Sequence, residues 1–495
     1  MMLTGGSLTS GQKIPSPVYL VSLVSGNTWT TDYTSIETWS ATGMTGTVAS
    51  LTVDALASGT IARGMVLSNA SLPAGSMVTS GSGSAWTIGA SIAAPLTGIS
   101  VTGTLYGGDN NNLSPMIAGR AGQNYWVLDG LKIIGFSMWS FHVGSSPSGG
   151  VNPIGWTIQN CEFTGGNCTY ATQANFANGV NCGVGIIYCS TNGTVTNNWF
   201  HDNIYNPRDQ LHWSCIYQWG LGATSGGSAT AGSLYSFNSI VNSGNLQGKE
   251  ETQYNTEIAF NYIDMTGIQS GADVTGSAIY GFMSDAGSAS ATGTKWHHNV
   301  ILANAFGFDF DNTNVASAYL RSPLLVYNNT IVNVGNHADG FAGGGYDSNG
   351  TVGSAGHLSA YNNLYYDNGH GAPQYGYWLT NVDSFGLLDY NIYGTWNKFL
   401  TVPTAHYGSS GATTHTSLAT WASALTPAGL EAHSTTSGVN PFVGGAPGPT
   451  AYQLAGGSLP LGFGRVGGVS GGAVVNAGAW DGTVTQIGCN FAVYT

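Results

Sequence analysis

Asn261-Tyr262-Ile263, Asn299-Val300-Ile301 and Asn329-Thr330-Ile331 are three copies of one short pattern: Asn, one residue, then a large apolar residue. Asn198-Trp199-Phe200, Asn238-Ser239-Ile240, Asn363-Leu364-Tyr365 and Asn391-Ile392-Tyr393 extend it in both directions, and Cys161-Glu162-Phe163 is a degenerate copy. Successive Asn residues stand 40, 23, 38, 30, 34 and 28 positions apart. A repeat of roughly 20 to 50 residues marks a solenoid or similar array. Short β-rich stretches such as Glu257-Ile258-Ala259-Phe260 and Leu325-Val326-Tyr327 recur beside the motif. They lack helical periodicity and are separated by Gly, Asn and Asp. A constant motif at a variable interval describes a fixed strand-and-turn unit carrying loops of different length, which is how a parallel β-helix grows. The stacked Asn is expected to take the left-handed conformation of the turn and to bond its amide to the copies above and below. The apolar residue two positions later is expected to point into the coil.

Composition agrees with a rigid all-β chain. Of 495 residues, 75 are Gly, and only 7% are charged, where an average globular protein has about 25%. Ten Lys and Arg against 23 Asp and Glu leave a net charge of -13, the opposite of a nucleic-acid footprint. So few charges also argue against long helical bundles, and 42% hydrophobic with 11% aromatic residues argues against disorder. No 18-residue apolar run is present, so no transmembrane helix and no membrane partner are expected. Val18 to Val24 is read as a first β-strand rather than a signal peptide, because its apolar core is short and Pro15 and Pro17 interrupt its approach. The six cysteines (Cys161, Cys168, Cys182, Cys189, Cys215 and Cys489) include no C-x-x-C pair; a zinc site is not expected, and packed thiols are favoured over disulfides.

The repeats resemble the right-handed parallel β-helix superfamily, the pectate-lyase-like fold. The flanks share the likeness. Asp32 to Trp39 resembles the short N-terminal capping helix of many such proteins, with Thr34 and Glu37 in a capping-box pattern. Ser417 to Trp421, Glu431 to Ser434 and Asn440 to Phe442 resemble their closing segment, continued by Gly478 to Gly482 and Ile487 to Cys489. The resemblance covers 17–42 and about 104–490. Between lies a stretch, 43–103, with only Asp54 and Arg63 charged and short alternating strands broken by Gly, Ser and Pro. It resembles a small β-module common in tailed-phage structural proteins. The expected organisation is an N-terminal segment and cap over 1–42, an inserted all-β module over 43–103, the β-helix over 104–400 and a closing segment over 401–495.

Three chemistries are associated with this superfamily, and each needs its own residues. A lyase needs a strong base beside carboxylates that hold Ca²⁺; the few basic residues of the body, Arg120 to Arg465, sit in no such motif. A glycoside hydrolase needs two carboxyl groups about 5 to 9.5 Å apart. Phe308-Asp309-Phe310-Asp311 is the best local candidate, since i and i+2 of a strand share a face; Asp285, one repeat earlier, is a third member. Solvated surface carboxylates are the competing reading. Tyr188, Tyr217, Trp219, Tyr280 and Trp378, with Phe308 and Phe341, recur in or near successive coils and form a candidate stripe for sugar rings, core filling being the alternative. Glu250-Glu251 with Glu257, and His201-Asp202 with Asp209 and His212, are further polar clusters. G-x-G-x-x-G over 462–467 and G-x-S-x-G over 468–472 lack the strand-to-helix context that would give them meaning. No cofactor and no metal is expected.

These features imply a phage virion surface protein of tailspike or fibre type that recognises host surface polysaccharide. The alternatives are a head decoration or head spike, and a polysaccharide-cleaving enzyme, a hydrolase rather than a lyase. A homotrimer and attachment to other virion proteins through 43–103 are the expected associations; nucleic acid is not an expected partner.

Overall fold

A computed structural model shows how the repeats stack. It describes residues 18–22, 28–30, 37–47, 50–53, 55–58, 61, 66–72, 78–88, 96–105, 117–119, 124–134, 141–143, 153–164, 186–188, 190–202, 214–219, 230–243, 245–249, 253–254, 256–264, 277–282, 294–302, 306–311, 324–332, 344–349, 358–366, 375–379, 385–394, 398–401, 413–425, 427–446 and 448–490.

Each coil contributes one strand to each of three long sheets. The first sheet begins with Val18–Ser22 and Trp126–Asp129 and ends with Phe385–Asp389. The second runs from Thr28–Thr30 to Thr435–Thr436, and the third from Ile117–Gly119 to Lys398–Thr401. Along these stacks neighbouring strands are parallel and come from successive repeats. The chain is an all-β parallel β-helix. Thr413–His415 then pairs antiparallel with Lys398–Thr401, capping the edge of the third sheet.

In the first and second sheets strand alternation builds two continuous buried columns. In the second sheet the central residues Ile133, Phe163, Phe200, Ile240, Ile263, Ile301, Ile331, Tyr365 and Tyr393 are all fully buried. From Phe200 onward these are the apolar residues two places after each motif Asn. Phe163 and Phe200 stack at 4.5 Å. In the first sheet the matching column includes Ile158, Val195, Tyr235, Ile258, Trp296 and Val326. Burial of each such side chain contributes about 1.5–3 kcal/mol.

The Asn residues form a buried ladder at the corner between these two sheets. Each side chain from Asn198 to Asn363 donates from Nδ2 to Oδ1 of the next, through Asn238, Asn261, Asn299 and Asn329 to Asn391, at 3.0–3.1 Å. Its other Nδ2 proton goes to a first-sheet carbonyl of the preceding coil, as from Asn261 to Tyr235. The same Oδ1 also accepts a backbone N–H, as Asn299 does from Asn261. An interior rung therefore places all four of its amide hydrogen-bonding positions, which a fully buried amide requires. Cys161 occupies the slot before Asn198, donating its N–H to Asn198 Oδ1. Ser434 ends the ladder, its Oγ accepting the Asn391 N–H.

The left-handed residue is the one before the ladder Asn, not the ladder Asn itself as its sequence pattern suggests. Asn197, Phe237, Phe260, His298, Asn328, Asn362 and Tyr390 have φ between 52° and 59°. Ladder geometry accounts for the difference, since the rung amide must point inward from extended backbone while its neighbour makes the corner. The corner residues stack outside the ladder, Phe237 on Phe260 at 4.9 Å and Phe260 on His298 at 5.2 Å.

The N-terminal expectations meet a different local structure. Glu37–Thr47 is an antiparallel strand paired with Leu96–Leu105, so Glu37 to Trp39 do not continue a capping helix; Asp32 to Ile36 lie outside the described residues. The strand pairing of this stretch satisfies backbone bonds that a single exposed turn of helix would leave open. The resulting seven-stranded antiparallel sheet, which further includes Ser50–Thr52, Ala55–Ser58, Val66–Ser68, Val78–Ser82 and Ala85–Ile88, spans Glu37 to Leu105, slightly beyond 43–103.

At the other end, Ser417 caps the helix Leu418–Ala424, accepting the Thr420 N–H, and Trp421 is fully buried. The chain then turns back along the ladder corner as a strap. Its contacts descend the stack: Gly478 N–H to Asn362 O, Ala479 N–H to Thr330 Oγ1, Gly488 N–H to Phe260 O, Cys489 N–H to Ser239 Oγ and Asn490 N–H to Asn197 Oδ1. Gly478 and Gly488 have φ of 89° and 74°, and a Cβ on either would meet Thr330 Oγ1 or Ser239 Oγ below 3.0 Å. Trp480, Val484 and Ile487 of the strap cover Tyr262, Val300, Leu302, Val332 and Tyr366 on the outer face of the second sheet.

Cys161, Cys215 and Cys489 are buried, and burial pushes the Cys161 thiol up to about 12; Cys168, Cys182 and Cys189 lie outside the described residues.

Asn261→Leu removes the side-chain acceptor of the Asn238 backbone and side-chain N–H groups and the side-chain donor to Tyr235 O and Asn299 Oδ1, and is expected to lower stability by about 3 kcal/mol or more; a thermal melt indistinguishable from wild type contradicts this. Glu431 is buried against Tyr393, and burial pushes its carboxyl up to about 7. A raised carboxyl pKa means folding stability that is full in acid and declines as pH rises from the ordinary carboxylate range toward the folded value. Glu431→Gln is therefore expected to melt with wild type near pH 5 and above it at pH 8; equal melting at both pH values refutes the assignment.

Candidate functional site

The third sheet holds most of the residues singled out for sugar chemistry. Tyr188 closes Ile186–Tyr188; Tyr217 and Trp219 lie in Ser214–Trp219; Tyr280 in Ser277–Phe282; Asp309 and Asp311 in Phe306–Asp311; Trp378 in Tyr375–Leu379. Register sorts them into rows. Tyr217, Gln247, Tyr280, Asp309, Asp347 and Trp378 occupy one row across six successive coils. Two residues along, Trp219, Lys249, Phe282, Asp311 and Asn349 form a second row. Tyr188 is in neither: Ile187 pairs with Tyr217, which sets Tyr188 one position further on. Asp285 and Phe341 lie outside the described residues, as do Glu250, Glu251, Asp209 and His212. Phe308 belongs to the core, fully buried in the row beside Asp309.

Asp347 was not among the sequence candidates. It sits in the same row as Asp309, one coil on, so their backbones are one strand spacing apart, about 4.8 Å. The signal in the sequence is Tyr346-Asp347, which repeats Phe308-Asp309 as aromatic then Asp. The long stretch between the two strands hides that alignment until register is known.

A second polar group stands on the outer face of the second sheet, in its earlier coils. Lys132, Glu162 and Trp199 share one row, and His201 follows two residues after Trp199. Lys132 Nζ is 2.7 Å from Glu162 Oε1, His201 Nε2 is 3.1 Å from the same oxygen, and His201 Nδ1 is 2.9 Å from Asp202 Oδ2. Trp199 and His201 stack at 3.8 Å. Burial alone would raise Glu162, but hydrogen bonds from His201 and Lys132 outweigh it and hold the carboxyl below its ordinary value. Burial likewise pulls His201 down, and its bonds to Asp202 and Glu162 outweigh that and hold it above. Both imidazole nitrogens are engaged, so the ring is held as a cation between two carboxylates. That arrangement locks three coils together and leaves no nitrogen for a metal. Among the described residues no group of three or more His, Cys, Asp or Glu is arranged to hold a metal ion, and no helix is long and apolar enough to cross a membrane.

A raised histidine pKa means stability present below the ordinary imidazole value and lost as pH rises through the folded one. Wild type is expected to lose thermal stability relative to His201→Gln as pH climbs from about 6 to about 9. A constant difference across that range refutes the charged pairing.

No family model matches the chain, and no curated protein is similar to it. Three solved structures align with most of it at low identity. Pectate lyase Pel9A is 13% identical, with 74% of this chain and 77% of that one covered and a TM-score of 0.36. The tailspike gp61 of Pseudomonas phage phi297 is 12% identical over 73% of this chain and 59% of its own, with a TM-score of 0.21. The tailspike gp49 of Pseudomonas phage LKA1 is 11% identical over 71% and 66%, with a TM-score of 0.18. The chain spans less than two thirds of either tailspike.

Proposed function

We propose that this protein is a phage virion surface protein of tailspike or fibre type that binds a host surface polysaccharide along its third sheet. The observation that carries the reading is the single register row Tyr217, Gln247, Tyr280, Asp309, Asp347 and Trp378. Neighbours along a strand alternate between faces, and the adjacent row contains the buried Ile216 and Phe308. We assign this row to the proposed binding face. Aromatic rings offer flat apolar surface to sugar faces, and amide and carboxylate groups accept hydrogen bonds from sugar hydroxyls. Repetition at one strand spacing suits a ligand that is itself a repeating chain. Tyr188 and Trp219 are the further ligand-binding candidates of that sheet, and Asp311 the further carboxylate. The sheet over 37–105 is the proposed attachment to other virion proteins, and a homotrimer is the proposed assembly.

A polysaccharide-cleaving role is the second reading, favoured by one feature: Asp309 and Asp347 one coil apart in a row, with Asp311 two residues on. Two carboxyl-bearing positions one coil apart are what a two-carboxylate glycoside hydrolysis would draw on.

The test is binding of the intact protein to purified surface polysaccharide. Tyr280→Ala with Trp378→Ala is expected to weaken it at least about tenfold, because two rings that stack on sugar are removed, with melting unchanged. Unaltered binding defeats the row as the site. Release of oligosaccharides that disappears in Asp309→Asn and Asp347→Asn would make the second reading the right one.

A further inference from the structure

Between Ala479 and Gly488 the strap passes the coil of His298, and there it meets a chain of four titratable side chains. Glu257 Oε1 is 3.1 Å from His297 Nε2. His297 Nδ1 is 2.7 Å from His298 Nδ1. His298 Nε2 is 3.0 Å from Asp481 Oδ2. Asp481 is on the strap, and its other oxygen accepts from the Thr483 N–H and hydroxyl. His297 and His298 are both buried.

Proton counting fixes the charge of this chain. Each of the three links needs one N–H, and the two rings have four nitrogens. Three N–H groups on two imidazoles mean one neutral ring and one cation. Removing a proton sets two lone pairs against each other at the His297–His298 contact. Adding one sets two N–H groups of two cations against each other at 2.7 Å. Either change breaks the middle link.

We propose that the His297–His298 pair is a one-proton latch that fastens the 480–487 span of the strap to the stack and loosens it when a second imidazole proton arrives in mild acid.

The surroundings decide which part yields. The groups facing the pair are Glu257 from the preceding coil, Lys295 from the strand of His297, Tyr327 from the following coil and Asp481 from the strap. His297 is held by Glu257 and stacked on Tyr327 at 4.7 Å. His298 forms the ladder corner, stacked on Phe260. The coils are tied above and below by the Asn ladder, whereas the described bonds from 480–487 to the stack consist of the Asp481 contact. A ring that turns takes the strap contact with it, and Trp480, Val484 and Ile487 lose their seat over Val300, Leu302 and Val332.

Burial holds His297 below the ordinary imidazole range, so the folded state keeps it neutral and loses stability as pH falls through that range. The His297 bond holds Glu257 down, and at Asp481 the bonds from His298 and Thr483 outweigh burial; both carboxyls stay charged while the second imidazole proton binds.

Hydrogen exchange of the full chain, followed by mass spectrometry and corrected for the intrinsic rate at each pH, tests this. Protection of 480–487 is expected to fall about tenfold or more between about pH 7 and about pH 5, one pKa unit of coupling being a factor of ten. Protection of 299–302 should hold. In His297→Gln, which takes up no proton, the fall should vanish. Constant protection of 480–487 in the wild type, or an equal fall in His297→Gln, overturns the latch. If His297→Gln loses protection at 299–302, Asp481→Asn is read instead: low protection of 480–487 at both pH values supports the latch, and a wild-type fall overturns it.

Discussion

A buried amide with every donor and acceptor placed is the interaction on which this architecture depends. An Asn side chain inside a coil would cost several kcal/mol if left unpaired. Here each interior rung gives two protons, one along the stack and one to a first-sheet carbonyl, and receives two. The same bonds fix the corner angle, hold the next residue inward and set the register of two sheets at once. The apolar columns supply most of the burial, but they would tolerate sliding; the ladder does not. Its ends are chemically consistent, with a backbone N–H at Cys161 and a hydroxyl at Ser434 completing the outermost rungs.

The second constraint is the apolar outer face of the second sheet. Tyr262, Val300, Leu302, Val332 and Tyr366 face away from the coil interior and still are buried, because the returning strap lies over them. Earlier coils of that sheet carry Lys132, Glu162 and His201 instead. Along this face the residues beneath Trp480, Val484 and Ile487 are apolar, and those of the earlier coils are charged.

Much of the fold was legible because the ladder writes itself into the chain as Asn-x-apolar, and a buried amide admits few substitutes. The degenerate copy at Cys161 was readable for the same reason. What was not legible depended on long-range placement. The left-handed corner fell one residue earlier than expected, since Phe237, Phe260 and Tyr390 carry no turn signature. The capping helix expected to run to Trp39 gave way at Glu37 to a strand whose partner lies near Leu105, a pairing no local pattern announces. Asp347 escaped notice because the register that aligns it with Asp309 crosses a long connection. The His297–Glu257 and His298–Asp481 contacts join residues 40 and 183 positions apart, so no local pattern announces them.

The strap also acts as a ruler. A ladder by itself is indifferent to copy number: every rung presents the same donors and acceptors, and a whole coil could be duplicated or deleted without altering its chemistry. The segment from Gly478 to Asn490 removes that freedom, because it has specific partners on six coils in turn, from Asn362 down to Asn197. Insertion or deletion of a coil within that span would put Gly488 opposite the wrong corner, where its missing Cβ no longer matches a close approach. The length of the tail and the number of coils beneath it are thus tied together, and neither can drift in evolution without the other.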